Sequence, residues 1–259
     1  MFTLDTPIYI IGSGNIAWNL TKAFTNAQIS IRGIWSRNHQ AALEISQTFN
    51  IPIIEENHLS QLDGIFILAV SDAAIEPVAK KINRQAGIIH TSGSTTIDIL
   101  NQTHHHAGVF YPLQTFSKHR DVAFNQIPIL IEYSNDDIKN ILENWTTKLQ
   151  TQSYFCTSAD RIKYHIAAVF ACNFVNHMIA QAEYWLEIHQ LRFDLLKPLI
   201  TETIQKAMEQ GSRQSQTGPA IRNDQITIEK HLKTLEHYDE LKNLYSFVTQ
   251  SIMSNLKKE

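Results

Sequence analysis

Long hydrophobic runs are missing from this chain. The longest uninterrupted apolar stretches cover residues 65–70 and 166–172, far short of the roughly 20 residues that cross a bilayer. Residues 1–7 carry no basic segment followed by an apolar one, so neither a membrane span nor a secretory leader is expected. Cysteine is equally scarce. Cys156 and Cys172 are the only two in 259 residues, and they form no CxxC pair and stand in no compact pattern with histidine. That points to a reducing, cytoplasmic location and to no structural metal. An excess of charge of one sign is absent too: 22 Lys+Arg against 25 Asp+Glu leave a net charge of −3, which gives nothing to steer the protein toward nucleic acid or an anionic membrane. The expected partner is a small molecule. The consecutive His104, His105 and His106 cannot all point at one ion without a special turn, and are expected in an exposed loop.

What is present is a composition with 43% apolar residues, normal for a globular core, in a length that suits one large domain or two ordinary ones. Apolar segments at 8–11, 29–35 and 64–70 alternate with helical stretches, the βαβαβ rhythm of a parallel sheet. Near-continuous apolar strands such as 65–70 fit central strands covered on both faces. Further strands are expected at 87–90, 108–111 and 127–131, then a helix over 136–150. The character changes after Tyr154. No proline or glycine occurs from Ser158 to His189, and Thr157, Ser158, Ala159 and Asp160 have the form of a capping box. One helix of about 30 residues, roughly 45 Å long, should start there as the spine of a separate helical domain. Helices over 193–209 and from 224 to the end, broken near Tyr238, follow, with a turn at 216–220 between them. The expected class is therefore α/β: a Rossmann doubly wound parallel sheet over 1–153 and an all-helical domain over 154–259.

The first strand runs directly into Gly12, Ser13, Gly14, Asn15, Ile16 and Ala17, a GxGxxA motif opening a helix. Gly12 permits the tight turn, Gly14 lets backbone approach a pyrophosphate, and Ala17 lets the helix pack close to the strand. The phosphates are then expected over Asn15 and Ile16, where free N–H groups and the helix dipole favour anions. The motif alone is weak, but here it follows a strand, opens a helix and precedes a second strand at the right distance. NAD-binding proteins place a carboxylate at the end of that second strand to hold the ribose 2′-hydroxyl. This chain has Trp35, Ser36, Arg37 and Asn38 instead, and Ser36 with Arg37 can meet a 2′-phosphate through a hydroxyl and a guanidinium fork. The reading is NADP(H).

These residues and several later blocks resemble a bacterial family of Rossmann-like proteins with a C-terminal helical domain of unknown function 2520, whose members are commonly labelled NADP oxidoreductases. The matching blocks are residues 12–15, 35–37, 90–94, 109–117, 165–173 with Asn176 and His177, and 216–222. They span nearly the whole chain. The resemblance implies a Rossmann domain followed by an all-helical dimerisation domain, in the superfamily of pyrroline-5-carboxylate reductase, ketopantoate reductase and the β-hydroxyacid dehydrogenases. It implies no substrate. The last group carries Lys-x-x-x-Asn on the first long helix of its second domain, whereas Val169 stands four residues before Asn173 here, which puts hydroxyacid oxidation through a lysine in doubt.

Ligands of open α/β sheets lie outside the carboxyl ends of the strands, which singles out Val70 and Ser71, the 91–94 loop and the 112–115 loop. Thr91, Ser92 and Ser94 can bond the nicotinamide carboxamide, a ribose or a substrate oxygen, or can cap the helix beginning near Thr95. At 100° per residue His165, Val169, Cys172 and Asn176 share one stripe of the long helix, with Asn173 at its edge. His165 suits general acid catalysis at neutral pH, with Asn173 or Asn176 orienting a carbonyl or imine and Ser92 assisting; these residues equally suit interdomain contacts. His177 points further round, toward solvent or a subunit contact. Arg222 can bind a substrate carboxylate or pair with Asp224 or Glu202. The expected function is reduction of a small carbonyl or imine compound by NADPH, the rival being a non-catalytic NADP(H)-binding sensor or scaffold. The apolar girth of the long helix, with Ile166, Val169, Phe170, Phe174, Met178 and Ile179, predicts a homodimer through the C-terminal domain.

Overall fold

The computed structural model describes residues 2, 3, 5–118 and 120–255. Seven strands make one sheet: β1 (Ile8–Ile11), β2 (Ile31–Trp35), β3 (Ile65–Leu68), β4 (Gly87–His90), β5 (His106–Pro112), β6 (Ile129–Tyr133) and β7 (Ser153–Phe155), in the order β2-β1-β3-β4-β5-β6-β7. The chain leaves β1 in one direction for β2 and returns to the other side of β1 for β3, so the order reverses at β1. A crevice opens at such a reversal, outside the carboxyl ends of the strands.

The central strands feed side chains alternately to two cores. Along β3, Ile65 and Ile67 pack with Ile10, Phe24, Phe110 and Trp145 on one face, while Phe66 and Leu68 pack with Ile11, Trp35, Ile75 and Val109 on the other. That is why these strands read as unbroken apolar runs. Burial of each such side chain contributes about 1.5–3 kcal/mol. The covering helices are α1 (Asn15–Asn26), α2 (His39–Phe49), α3 (Asp72–Ala79), the short α4 (Asp98–Asn101) and α5 (Asp136–Lys148). Asn38 and Asn135 cap α2 and α5, accepting from the N–H groups of Ala41 and Ile138.

The sheet departs from the expected parallel pattern at one place. β5 and β6 pair antiparallel, Phe110 opposite Ile131, whereas β6 and β7 are parallel. Among its described residues the 113–128 connection holds a 3-10 turn, Phe124–Gln126, and no crossover helix, and the chain folds back beside the strand it left. β7 is too short to show a period, and no strand is expected there from the sequence.

His104 also corrects the expected exposed loop. It is buried, with its Nδ1 2.8 Å from the Thr103 hydroxyl, and His106 already belongs to β5. Only His105 of the three is exposed.

The expected long helix begins as its cap predicts, with the Thr157 hydroxyl accepting from the Asp160 N–H at 3.2 Å. It is made of α6 (Ser158–Ala168), a π-helical turn (Val169–Phe174) and α7 (Val175–Ile188). The chain divides into two compact units, Met1–Asn173 and Phe174–Glu259. α6 belongs to the first, where Arg161 ties it to the sheet, as described below. The second unit holds α7, a 3-10 turn (Phe193–Leu196), α8 (Lys197–Gln210), α9 (Gln225–Thr234) and α10 (Asp239–Asn255). Contacts within it include Trp185 edge-on to Tyr238 at 5.2 Å and the exposed His231 Nδ1–Tyr245 hydroxyl pair at 2.8 Å. The final stretch of the helix expected to reach the chain end, 256–259, lies outside the described residues.

Candidate cofactor and active site

The glycine loop sits at the reversal point of the sheet. Gly12 has φ +122°, a backbone region that L side chains rarely adopt, and a Cβ on it would lie 2.2 Å from the Ala69 carbonyl oxygen beyond β3. Its N–H donates to the Trp35 carbonyl of β2 at 2.8 Å, so the loop is held between the two strands that flank β1. Gly14 differs. A Cβ there would meet nothing within 4 Å, so the fold does not require glycine at this position, and the open space lies at the N-cap of α1, where among the described residues no side-chain cap bond is made. That combination fits a pyrophosphate approaching backbone. Ser13 and Ser36 bring their hydroxyls to 2.9 Å, joining the loop to the end of β2. Arg37 follows, exposed and, among the described residues, without a carboxylate partner. Val70 and Ser71 follow β3 at the same edge, and the Val70 side chain lies 3.3 Å from the Cβ position of Gly12. The residues present therefore fit a dinucleotide with a 2′-phosphate.

A second polar group lies at the carboxyl ends of β4 and β5. Thr91 donates to the Leu68 carbonyl at 3.3 Å. The Ser92 hydroxyl accepts from the N–H groups of Ser94 and Thr95 and donates to the Thr95 hydroxyl. Its atoms are thus spent on turning the loop, as a Ser side chain does when it replaces a backbone turn. Ser94 donates to Asp72 in the first turn of α3. Beneath the loop, His90 is fully buried and its Nδ1 accepts from the Ser92 N–H at 3.1 Å. Burial, reinforced by the Arg161 guanidinium, pushes its pKa down to about 3, so it is neutral across the physiological range.

α6 is anchored above this loop by residues that carry no motif. Arg161, 1% exposed, donates to Glu132 of β6, to the Thr95 carbonyl and to the Ser158 hydroxyl. Glu132 also accepts from the Ser158 N–H at 2.9 Å and hydroxyl at 2.6 Å, and the Ile97 N–H donates to that hydroxyl at 3.0 Å. One turn after Arg161, His165 is half-buried with its Nδ1 3.0 Å from the Tyr111 hydroxyl. Tyr111 is buried at the end of β5, and burial raises its pKa. Gly93 leaves the room for this pair: a Cβ on it would sit 2.6 Å from His165 Nδ1 and 2.8 Å from Tyr111 Cζ.

His165, Ser92 and Thr91 are thus brought into one region. Asn173 lies in the π-helical turn Val169–Phe174, where a turn closed by i→i+5 bonds takes about one residue more than an α turn. Asn173 is exposed at the end of the first unit, and Asn176 is exposed in the second. Arg222 is exposed and within ion-pairing distance of neither Asp224 nor Glu202; Asp224 instead caps α9, accepting from the Thr227 N–H at 3.1 Å. His177 is exposed, 3.4 Å from Gln181. Among the described residues no three His, Cys, Asp or Glu are grouped to hold a metal ion, and no helix is long and apolar enough to cross a membrane. Tyr111, Glu132 and Arg161 escape sequence reasoning because each is ordinary in its own segment, and only the fold joins them.

A glycine loop at a sheet reversal, over the open end of a helix, defines a Rossmann-type dinucleotide-binding protein. Residues 7–102 match the family described as NADP oxidoreductase coenzyme F420-dependent, and residues 127–252 match a domain of unknown function, DUF2520. The solved structure of a putative NADP oxidoreductase from Bacteroides fragilis is similar over 96% of this chain and 98% of its own, with 35% identity and a TM-score of 0.88. The chain belongs to that family of NADP oxidoreductases with a DUF2520 C-terminal domain. More distant structures share the fold: a 1-pyrroline-5-carboxylate reductase from Streptococcus pyogenes (16% identity, 96% and 98% of the two chains, TM-score 0.58) and an imine reductase from Streptomyces aurantiacus (12%, 98% and 100%, 0.62). No curated protein matches.

Proposed function

We propose that this protein binds NADP(H) at the glycine loop and reduces a small carbonyl or imine compound. The observation that carries the reading is Arg37, which has no carboxylate partner among the described residues, beside the Ser13–Ser36 hydroxyl pair, where an NAD-binding protein would present a carboxylate. Membership of an NADP oxidoreductase family supports the cofactor. In this reading Gly12, Ser13, Gly14, Asn15 and Ile16 cradle the pyrophosphate, Ser36 and Arg37 take the 2′-phosphate, and Val70, Ser71, Thr91 and Ser92 line the path toward the nicotinamide. NADPH supplies a hydride when bound. His165 gives the proton to the substrate oxygen or nitrogen, and Asn173 and Asn176 are candidates to orient the substrate. Leu191 and the helical residues Leu195, Leu199, Met208, Ile226 and Phe247 are exposed, more apolar surface than a monomer ordinarily leaves in water, and we assign them to a homodimer interface.

Calorimetry with NADPH and NADH, followed by NADPH absorbance across keto acids, aldehydes and cyclic imines, tests the reading. NADPH should bind at least about tenfold tighter than NADH, and R37A should remove most of that difference. On the compound that is turned over, H165Q should lower kcat by about 10² to 10⁴ with NADPH affinity unchanged. Equal affinities for the two cofactors would defeat the cofactor assignment. Tight NADPH binding with no compound turned over would favour the sensor.

A further inference from the structure

The Tyr111 hydroxyl has one partner among the described residues, His165 Nδ1 at 3.0 Å. A buried tyrosine hydroxyl must place its hydrogen on an acceptor or forfeit the bond it made to water. If Nδ1 carried the imidazole proton it would donate to the Tyr111 oxygen, and the tyrosine hydrogen would have no protein acceptor. With Nδ1 unprotonated both groups are satisfied, and the single proton of the neutral ring falls on Nε2. Among the described residues His165 Nε2 has no hydrogen-bond partner, and the ring is half-buried rather than enclosed, so that nitrogen is the one presented to a ligand.

Two further observations make this a built arrangement. The contact exists only because residue 93 lacks a Cβ, which would overlap both rings at 2.6–2.8 Å. The helix that carries His165 is fixed to the sheet one turn earlier, by Arg161 on Glu132 and on the Thr95 carbonyl. We propose that Tyr111 is a positioning residue that donates its hydroxyl hydrogen to His165 Nδ1 and so fixes the neutral imidazole as the Nε2–H tautomer, with Nε2 as the nitrogen presented to substrate. The inference rests on the reductase reading for its purpose but not for its test. The tautomer of a histidine is set by the bond its other nitrogen makes, and Tyr111 is the group that makes it.

The test is nitrogen NMR of protein labelled at its 12 histidines, at about pH 8.5, roughly two units above the ordinary imidazole pKa. The His165 signals are assigned by their loss in H165Q. The wild-type Nδ1 should resonate as an unprotonated ring nitrogen. In Y111F the ratio of Nε2–H to Nδ1–H should fall about fivefold, the bias expected of one ordinary hydrogen bond. G93A should lower the ratio in the same direction with the tyrosine hydroxyl retained, because the added Cβ forces the rings apart. A protonated Nδ1 in the wild type, or a change of less than twofold in Y111F with its amide spectrum still folded, overturns the proposal; should Y111F fail to fold, G93A decides by the same criterion. The readout needs neither NADPH nor substrate, so its failure is distinct from a failure of the reductase reading, which turnover reports.

Discussion

His90 makes the folded state sensitive to acid in a way that can be isolated. Its side chain is fully buried below the 91–94 loop, and burial with the Arg161 charge holds its pKa at about 3, against an ordinary value of 6.5. The unfolded chain therefore binds this proton more tightly than the folded one between those two values. Stability from this residue is complete above about pH 6.5 and is lost as pH falls toward 3. At about 1.36 kcal/mol per pH unit, the loss is roughly 2 kcal/mol at pH 5 and roughly 3 kcal/mol at pH 4. Carboxylates and His104, whose pKa burial also lowers, contribute their own pH dependence, so the measurement must be a difference. H90N keeps an acceptor near the Ser92 N–H and has nothing to titrate. Urea unfolding of wild type and H90N at several values from pH 8 to pH 5 should show the variant weaker at pH 8 by about 1–3 kcal/mol, from lost packing, with the gap narrowing by about 2 kcal/mol at pH 5. Parallel curves over that range would refute the assignment of a buried neutral histidine.

Three further outcomes are expected. R161A leaves Glu132, 12% exposed, without its cation and should cost about 3–5 kcal/mol in urea unfolding, with part of that recovered in R161A/E132A; a double variant weaker than the single one by the full cost of a second loss would contradict this. G12A and G14A should separate: the first destabilises by about 1–3 kcal/mol or more, because φ +122° and the Ala69 carbonyl both reject a Cβ, while the second leaves thermal stability nearly unchanged and weakens NADPH binding in calorimetry. Light scattering at micromolar concentration should give twice the 29.6 kDa chain mass, and a monomer mass would count against the assigned interface.

What the sequence made legible was local. A strand running into GxGxxA is a contiguous pattern, and its physical content, one glycine required by φ and another with open space above it, is present in Gly12 and Gly14. The cap at Thr157 is local for the same reason. The direction of β6 was not legible, since antiparallel pairing depends on how the 113–128 connection turns and not on the apolar pattern of the strand. Nor was the π turn at Val169–Phe174, because nothing in a run of apolar and amide residues marks where a helix takes an extra residue. The 100° spacing that put Asn173 at the edge of a stripe does not hold within that turn.

The same distinction explains why the site has the composition it has. His165 is visible as a polar residue on an apolar helix, but its usefulness depends on which nitrogen holds the proton, and that is decided by Tyr111 on β5 across a gap kept open by Gly93. The gap in turn is held to width by Arg161, whose guanidinium reaches β6 through Glu132 and the loop through the Thr95 carbonyl. A buried ion pair is weak evidence for stability, since apolar residues of equal volume often serve as well. Apolar packing, however, could not also fix the turn of α6 relative to a loop carbonyl. Arg161 can, because its planar fork has donors at set angles. On this argument R161M/E132Q, which fills the same space and leaves no unpaired charge, should retain most of the wild-type stability yet lose the Tyr111–His165 bond, so its His165 Nδ1 signal should move as in Y111F. A methionine variant that keeps the wild-type Nδ1 signal would show that packing alone positions the helix.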